Sequence, residues 1–218
     1  LDETVCRRTL PNGLKILVVP KPGFTRKIAY FVTNYGSVHT SFTLDGKAYT
    51  TPAGVAHYLE HKMFDMPDRD VTAEFAALGA SPNAFTSYGL TAYYFSCTEN
   101  FAPALRLLLE FVSTPYFTEE SVEKERGIIA QEILMYADSA DSVVMETMNR
   151  GLYQHHPIRN SIAGTVESIQ DITPEVLYDC HRAFYHPANM ILCVVGDVDA
   201  EEVAAIAEEI LPKEKQSV

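Results

Sequence analysis

The stretch that most constrains this chain is Thr51 to Phe64, TPAGVAHYLEHKMF. Read as a helix, it opens with Thr51 at the N-cap and Pro52 at the first helical position, where a missing N–H costs little. At about 100° per residue, His57, Glu60 and His61 project from one side. Val55, Tyr58, Leu59 and Met63 project from the other. The helix therefore has an apolar stripe to bury and, opposite it, a stripe of metal-ligand chemistry. Imidazoles at i and i+4 stand one turn apart, so both can reach one Zn²⁺. The order His-x-x-Glu-His inverts the commoner His-Glu-x-x-His, and both orders are zinc-site signatures.

A three-ligand metal site needs another donor. The segment Thr118 to Ala137 reads as a long helix, with Glu119 and Glu120 favourably placed at its positive end. Ser121 stands where a full capping box would carry Glu or Gln. Within about 60° of Glu125 lie Ile128, Ile129, Glu132 and Tyr136, flanked by Val122 and Ile133. A stripe expected to be buried thus carries two carboxylates among isoleucines. A buried carboxylate is costly unless paired, and a metal at one of them would remove the cost. The alternative is a rotated helix whose glutamates meet water or pair with Lys124 or Arg126.

The remaining chain supplies a scaffold. Arg7–Leu10 and Leu14–Val19 read as a hairpin turned at Pro11-Asn12-Gly13. Residues 27–34 read as a strand, and Tyr35–Tyr49 as loop with turns. Thr72–Leu78 is a short helix stopped by Gly79. Ser81–Tyr88 and Thr91–Thr98 are two strands joined at Gly89, and Asn100–Ser113 is an amphipathic helix. Helices follow over 141–153, from Thr173-Pro174 to Phe184, and over 200–211 behind Asp199. The strand Met190–Val195 lies before the last of these. The resulting fold class is α+β, one mostly antiparallel sheet with helices packed on it. Residues 1–211 read as one domain, and 212–218 as a polar tail or the start of a linker.

Composition narrows the partners. The net charge of −12 argues against nucleic acid, whose phosphates need a basic surface. No apolar run approaches the roughly 20 residues that span a bilayer, so no membrane partner is expected, and no signal peptide is read at its start. Cys6, Cys97, Cys180 and Cys193 show no paired spacing, which points to a reducing, cytoplasmic setting. His39, His155, His156, His181 and His186 lack partners at ligand spacing and read as surface or packing residues.

The chain resembles the pitrilysin/insulinase family of inverted-motif zinc peptidases, and within it the short bacterial members. The matching residues are His57-Tyr58-Leu59-Glu60-His61, followed by Glu125 to Glu132 (ERGIIAQE), Ser81–Thr86 (SPNAFT), Gly164–Ile169 (GTVESI) and Tyr185–Met190 (YHPANM). That resemblance implies that His57, His61 and Glu132 bind Zn²⁺, that Glu60 is the general base, and that Glu125 supports a zinc-binding histidine. It implies that Asn83, Ala84 and Phe85 align an extended peptide substrate by added-strand pairing. It further implies a zinc metalloendopeptidase in which two homologous halves close as a clamshell, with only the zinc-binding half present here. The partner is then a homologous second half or subunit. The competing reading is a non-catalytic scaffold or partner-binding subunit. An intact Glu60 weighs against it, because a structural zinc site needs no spare carboxylate and favours four protein ligands.

Overall fold

The computed structural model describes residues 4–214. Eight strands and seven helices follow one another in an α+β arrangement. The first hairpin pairs β1 (Cys6–Thr9) with β2 (Lys15–Pro20). Its turn is set by Gly13 at φ 92°, with the Asn12 side chain accepting from Leu14 N at 3.1 Å. β3 is Lys27–Thr33. The expected loop after it contains a small second hairpin, β4 (Ser41–Leu44) and β5 (Lys47–Thr50). Asp45 and Gly46 both have positive φ at its tip, the geometry that tight hairpin turns require.

The helix of the motif, α1, runs Val55–Lys62. It starts later than Thr51-Pro52 suggests, because Gly54 caps it in the left-handed region at φ 96°. Its position is forced by a close approach. A Cβ on Gly54 would stand 2.5 Å from the carbonyl oxygen of Ala163, and one on Gly164 would stand 2.5 Å from that of Ala53. Two glycines thus interlock the start of α1 with residues 163–164, and the Ser168 hydroxyl donates to Ala53 O at 2.8 Å across the same contact.

After α1 come α2 (Val71–Ala77), β6 (Ser81–Thr86), β7 (Thr91–Cys97), α3 (Phe101–Ser113), α4 (Glu119–Ala137) and α5 (Ala140–Leu152). Three short 3₁₀ turns, α6 (Pro174–Phe184), β8 (Met190–Gly196) and α7 (Ala200–Ile210) complete the chain. Ser121 closes the cap of α4 in place of a longer acid. Its hydroxyl accepts from Thr118 N, and Thr118 Oγ1 accepts from Ser121 N, both at 3.2 Å. The expected tail is described only as far as Glu214, with Pro212 O accepting from Asn12 Nδ2 at 2.8 Å; residues 215–218 lie outside the described residues.

The main sheet has the order β1-β2-β8-β3-β7-β6. All its pairings are antiparallel except that of β2 with β8. One face is buried. Phe31, Tyr93, Phe95 and Leu192 meet Leu105, Leu108 and Phe111 of α3, each aromatic burial contributing about 1.5–3 kcal/mol. β6 is an edge strand, and α1 lies over it and β7.

Candidate metal centre and cleft

α1 is held from two sides. Val55, Tyr58, Leu59 and Met63 are buried in the core. The Tyr58 hydroxyl donates to Val122 O, which fixes α1 against the first turns of α4. α4 is pinned in turn by Arg126, whose guanidinium donates to Ile169 O at 3.2 Å and Ile172 O at 2.9 Å. Val122 and Ile129 form its buried stripe, while Ile128 points to solvent, so the buried face is narrower than the pattern suggests. Glu125 and Glu132 sit at the border of that stripe, with side chains 19% and 22% exposed. They face α1 instead of entering the core.

These two anchored helices bring His57, His61 and Glu132 together. Their donor atoms all lie within 4.8 Å of one another. Glu132 Oε2 is 3.6 Å from His57 Nε2 and 3.4 Å from His61 Nε2. Tetrahedral ligands about 2.0–2.1 Å from Zn²⁺ stand roughly 3.3–3.4 Å apart, so the donor types and the two Glu132 distances fit that ion. His61 Nδ1 is 2.9 Å from Glu125 Oε1. With the proton on Nδ1, that bond turns Nε2 toward the cluster as a free lone pair. His57 Nδ1 has no such partner among the described residues.

The electrostatics follow from this crowding. Burial works against a charged His61, but the hydrogen bond and charge of Glu125, then the charges of Glu60 and Glu132, outweigh it and raise its pKa. Glu132 is held down at about 2, chiefly by the His57 imidazole, with the Tyr136 hydroxyl donating to Oε1 at 2.7 Å as a further support. Glu60 moves the other way. Burial raises its pKa, opposed by the Thr86 hydroxyl, which donates to Oε2 at 2.6 Å. Glu60 therefore sits on the ligand face with its carboxylate tied to the sheet.

These groups open into a cleft of about 520 Å³, lined also by Ala84, Phe85, Tyr88, Met145 and Ile162. Ala84 and Phe85 border it as expected. Asn83 does not; its side chain accepts from Ala84 N at 2.8 Å on the exposed edge strand. Thr86 and Tyr136 were not singled out by the sequence as site residues. Tyr136 stands one turn beyond Glu132, and Thr86 ends the strand that carries Ala84, and those positions were the available signals. Asn149 Nδ2 donates to the Tyr88 hydroxyl at 2.8 Å and joins α5 to the strand turn across the cleft.

Residues 45–166 match the family model described as insulinase (peptidase family M16), and residues 171–217 match that of the peptidase M16 inactive domain. The chain is 48% identical over 211 residues to a Bacillus subtilis protein named as an uncharacterized zinc protease, covering 96% of this chain and 49% of the relative. It superposes with TM-score 0.92 and 47% identity on an M16-like peptidase of Alicyclobacillus acidocaldarius, covering 96% of this chain and 49% of that one. A protease of Helicobacter pylori gives TM-score 0.86 at 25% identity, with 99% and 52% covered. The chain thus spans about half the length of the relatives it matches. No helix among the described residues is long and apolar enough to cross a membrane. Because the matched stretch covers more than half of the chain and contains His57, His61 and Glu132, this protein belongs to the insulinase family, peptidase family M16.

Proposed function

We propose that this chain is the zinc-binding half of a metalloendopeptidase that cleaves extended peptides, with His57, His61 and Glu132 as ligands. The observation that carries the reading is the pairing of a three-donor cluster with a carboxylate that the cluster does not need. Three protein ligands would leave a bound Zn²⁺ a fourth position, and Glu60 lines the same cleft as the three donors, held by Thr86. A bound Zn²⁺ would supply Lewis acidity toward a carbonyl and lower the pKa of a water to about 7. Glu60 would accept the proton of the attacking water and deliver it to the leaving amine. Burial raises its pKa, which strengthens it as the base of the first transfer. Glu125 would hold the His61 tautomer, and Tyr136 would orient Glu132.

The exposed edge of β6, bordering the cleft through Ala84 and Phe85, would take the substrate as an added strand, with Asn83 yielding Ala84 N. Residues 1–211 would form the domain and those from 212 the start of the connection to a second half. The match of residues 171–217 to an inactive-domain model favours a second reading, a non-catalytic scaffold or partner-binding subunit.

Metal content separates the roles. Glu60→Gln should retain one equivalent of zinc, and Glu132→Ala should lose it at micromolar protein concentration. Loss of zinc from Glu60→Gln would make Glu60 a ligand and end this mechanism.

A further inference from the structure

A second pocket opens beside the metal cleft. Its volume is about 310 Å³, and Tyr136, Glu146 and Ser161 form the wall that the two share. They differ in charge. The cleft carries Glu60, Glu132, Asp141 and Glu146 without a lysine or arginine. The pocket carries Arg150 from α5 and Arg159 from the turn that follows it, with Glu146 as its one carboxylate. Asn160 and Thr165 add further polar groups to its wall. In a chain of net charge −12, this is a local reversal of sign next to the candidate metal ligands.

Structural duties leave most of this charge free. Arg126 shows what a structural arginine looks like here: its guanidinium pairs with Glu123 and donates to two backbone carbonyls. Arg159 instead is exposed and donates from Nη1 to Gln154 O at 3.1 Å, and it pairs with no carboxylate among the described residues. Arg150 Nη2 reaches Glu146 Oε2 at 3.3 Å, longer than the roughly 2.7–2.9 Å of a strong charged hydrogen bond. That pair is one helical turn apart with the Arg150 side chain 54% exposed, and exposed pairs of this kind hold weakly. Ala53, next to the N-cap of α1, also lines the pocket, and no side chain caps that helix. Its positive end adds to the same sign.

We propose that this pocket is a substrate subsite that receives a carboxylate of the bound peptide. Arg159 supplies a planar fork of N–H donors, the geometry that meets both oxygens of a carboxylate, and Arg150 adds its charge from α5. An acidic side chain within the peptide and the peptide's terminal carboxylate offer the same chemistry. Tyr136 ties the subsite to the metal ligands, because its hydroxyl donates to Glu132 Oε1 and its side chain belongs to the shared wall. The proposal rests on the reading of the cleft as a peptidase site and adds to it a preference for an acid at one fixed distance from the cleaved bond.

The test uses the zinc-loaded chain joined to its second half and a fluorescein-labelled, unstructured peptide carrying Glu, Gln or Lys at each position in turn. Binding is read by anisotropy on the Glu60→Gln protein, and kcat/KM on the unaltered one. At one position Glu should be favoured over Gln at least tenfold, and high salt should shrink the margin. Arg159→Glu should reverse the order of the Glu and Lys peptides and Arg159→Lys should keep it, with both melting within a few degrees of the parent because the side chain is exposed. A preference that survives amidation of the peptide places a side chain in the pocket, and one that vanishes places the terminal carboxylate there. No advantage for any carboxylate, an order that Arg159→Glu leaves intact, or equal weakening of all peptides by that variant would overturn the proposal. Cleavage without charge preference removes the subsite alone. Arg159-dependent binding of the acidic peptide without cleavage removes the peptidase reading and leaves the subsite standing.

Discussion

Replacing Gly54 by alanine tests how the metal helix is held. Gly54 is at φ 96°, a region that costs a residue with a Cβ about 1–2 kcal/mol. The new Cβ would also stand 2.5 Å from Ala163 O, 3.0 Å from Ala163 C and 3.2 Å from Gly164 Cα. All three are backbone atoms and cannot rotate away, so either α1 or the 163–164 segment must shift. Overpacking of this kind typically costs about 1–3 kcal/mol. Together the two costs come to about 2–5 kcal/mol. For a chain of this size 1 kcal/mol corresponds to about 2–4 °C, so the melting temperature should fall by about 4–20 °C. Gly79→Ala is the control. Gly79 also has positive φ, at 71°, but nothing lies within 4 Å of its Cβ position, so only the backbone cost of about 1–2 kcal/mol applies. Thermal melts of the zinc-free proteins by circular dichroism give the comparison. Competitive zinc titration gives a second one. Because His57 follows Gly54 by three residues, Gly54→Ala should weaken zinc at least tenfold and Gly79→Ala should not. If the two variants melt alike and bind zinc alike, the interlocked glycines do not position the helix.

Two further predictions concern single side chains. Glu125→Gln removes the charged partner of His61 Nδ1 and should weaken zinc by about 10–100-fold in the same titration while leaving one site per chain. His181 is buried with its Nε2 3.1 Å from Val112 O, and burial pushes its pKa down to about 4. The unfolded chain, with an ordinary His pKa of about 6.5, binds the proton first, so the stability that neutral His181 contributes is intact above pH 6.5 and drains away toward pH 4. The loss approaches about 3 kcal/mol, and urea melts of zinc-free protein should show His181→Gln losing less stability over that window; parallel losses would refute the assignment.

Much of the site was legible because metal chemistry imposes rigid spacing. His57, Glu60 and His61 must share a helical face whatever packs behind them, and Glu125 with Glu132 stood out as acids within an apolar stripe, although the structure sets them at its border. The sheet was legible from β-branched and aromatic runs bounded by Gly13, Gly89 and Gly196. What the pattern missed lies where tertiary contact overrides local preference. Pro52 is a good first helical residue, yet the approach of Ala163 and Gly164 keeps the chain out of helix until Val55. Asp45-Gly46 is a hairpin signal, but its flanking strands are four residues each and largely polar, too weak to read as a sheet. Ile128 reads as core on a helical wheel and faces water, because α4 is turned by Arg126 and Tyr58 rather than by its own pattern. Thr86 and Tyr136 matter through the carboxylates they touch, contacts between distant segments or along a helix that carry no motif.

In the proposed mechanism Glu60 is a base beside a metal that other residues hold. The most direct measurement is mass spectrometry of an unstructured peptide mixture incubated with the zinc-loaded chain joined to its second half, beside its Glu60→Gln twin. New termini are expected from the first, none from the second, and one zinc in each. Equal cleavage by both, or none by either with zinc bound, would contradict it.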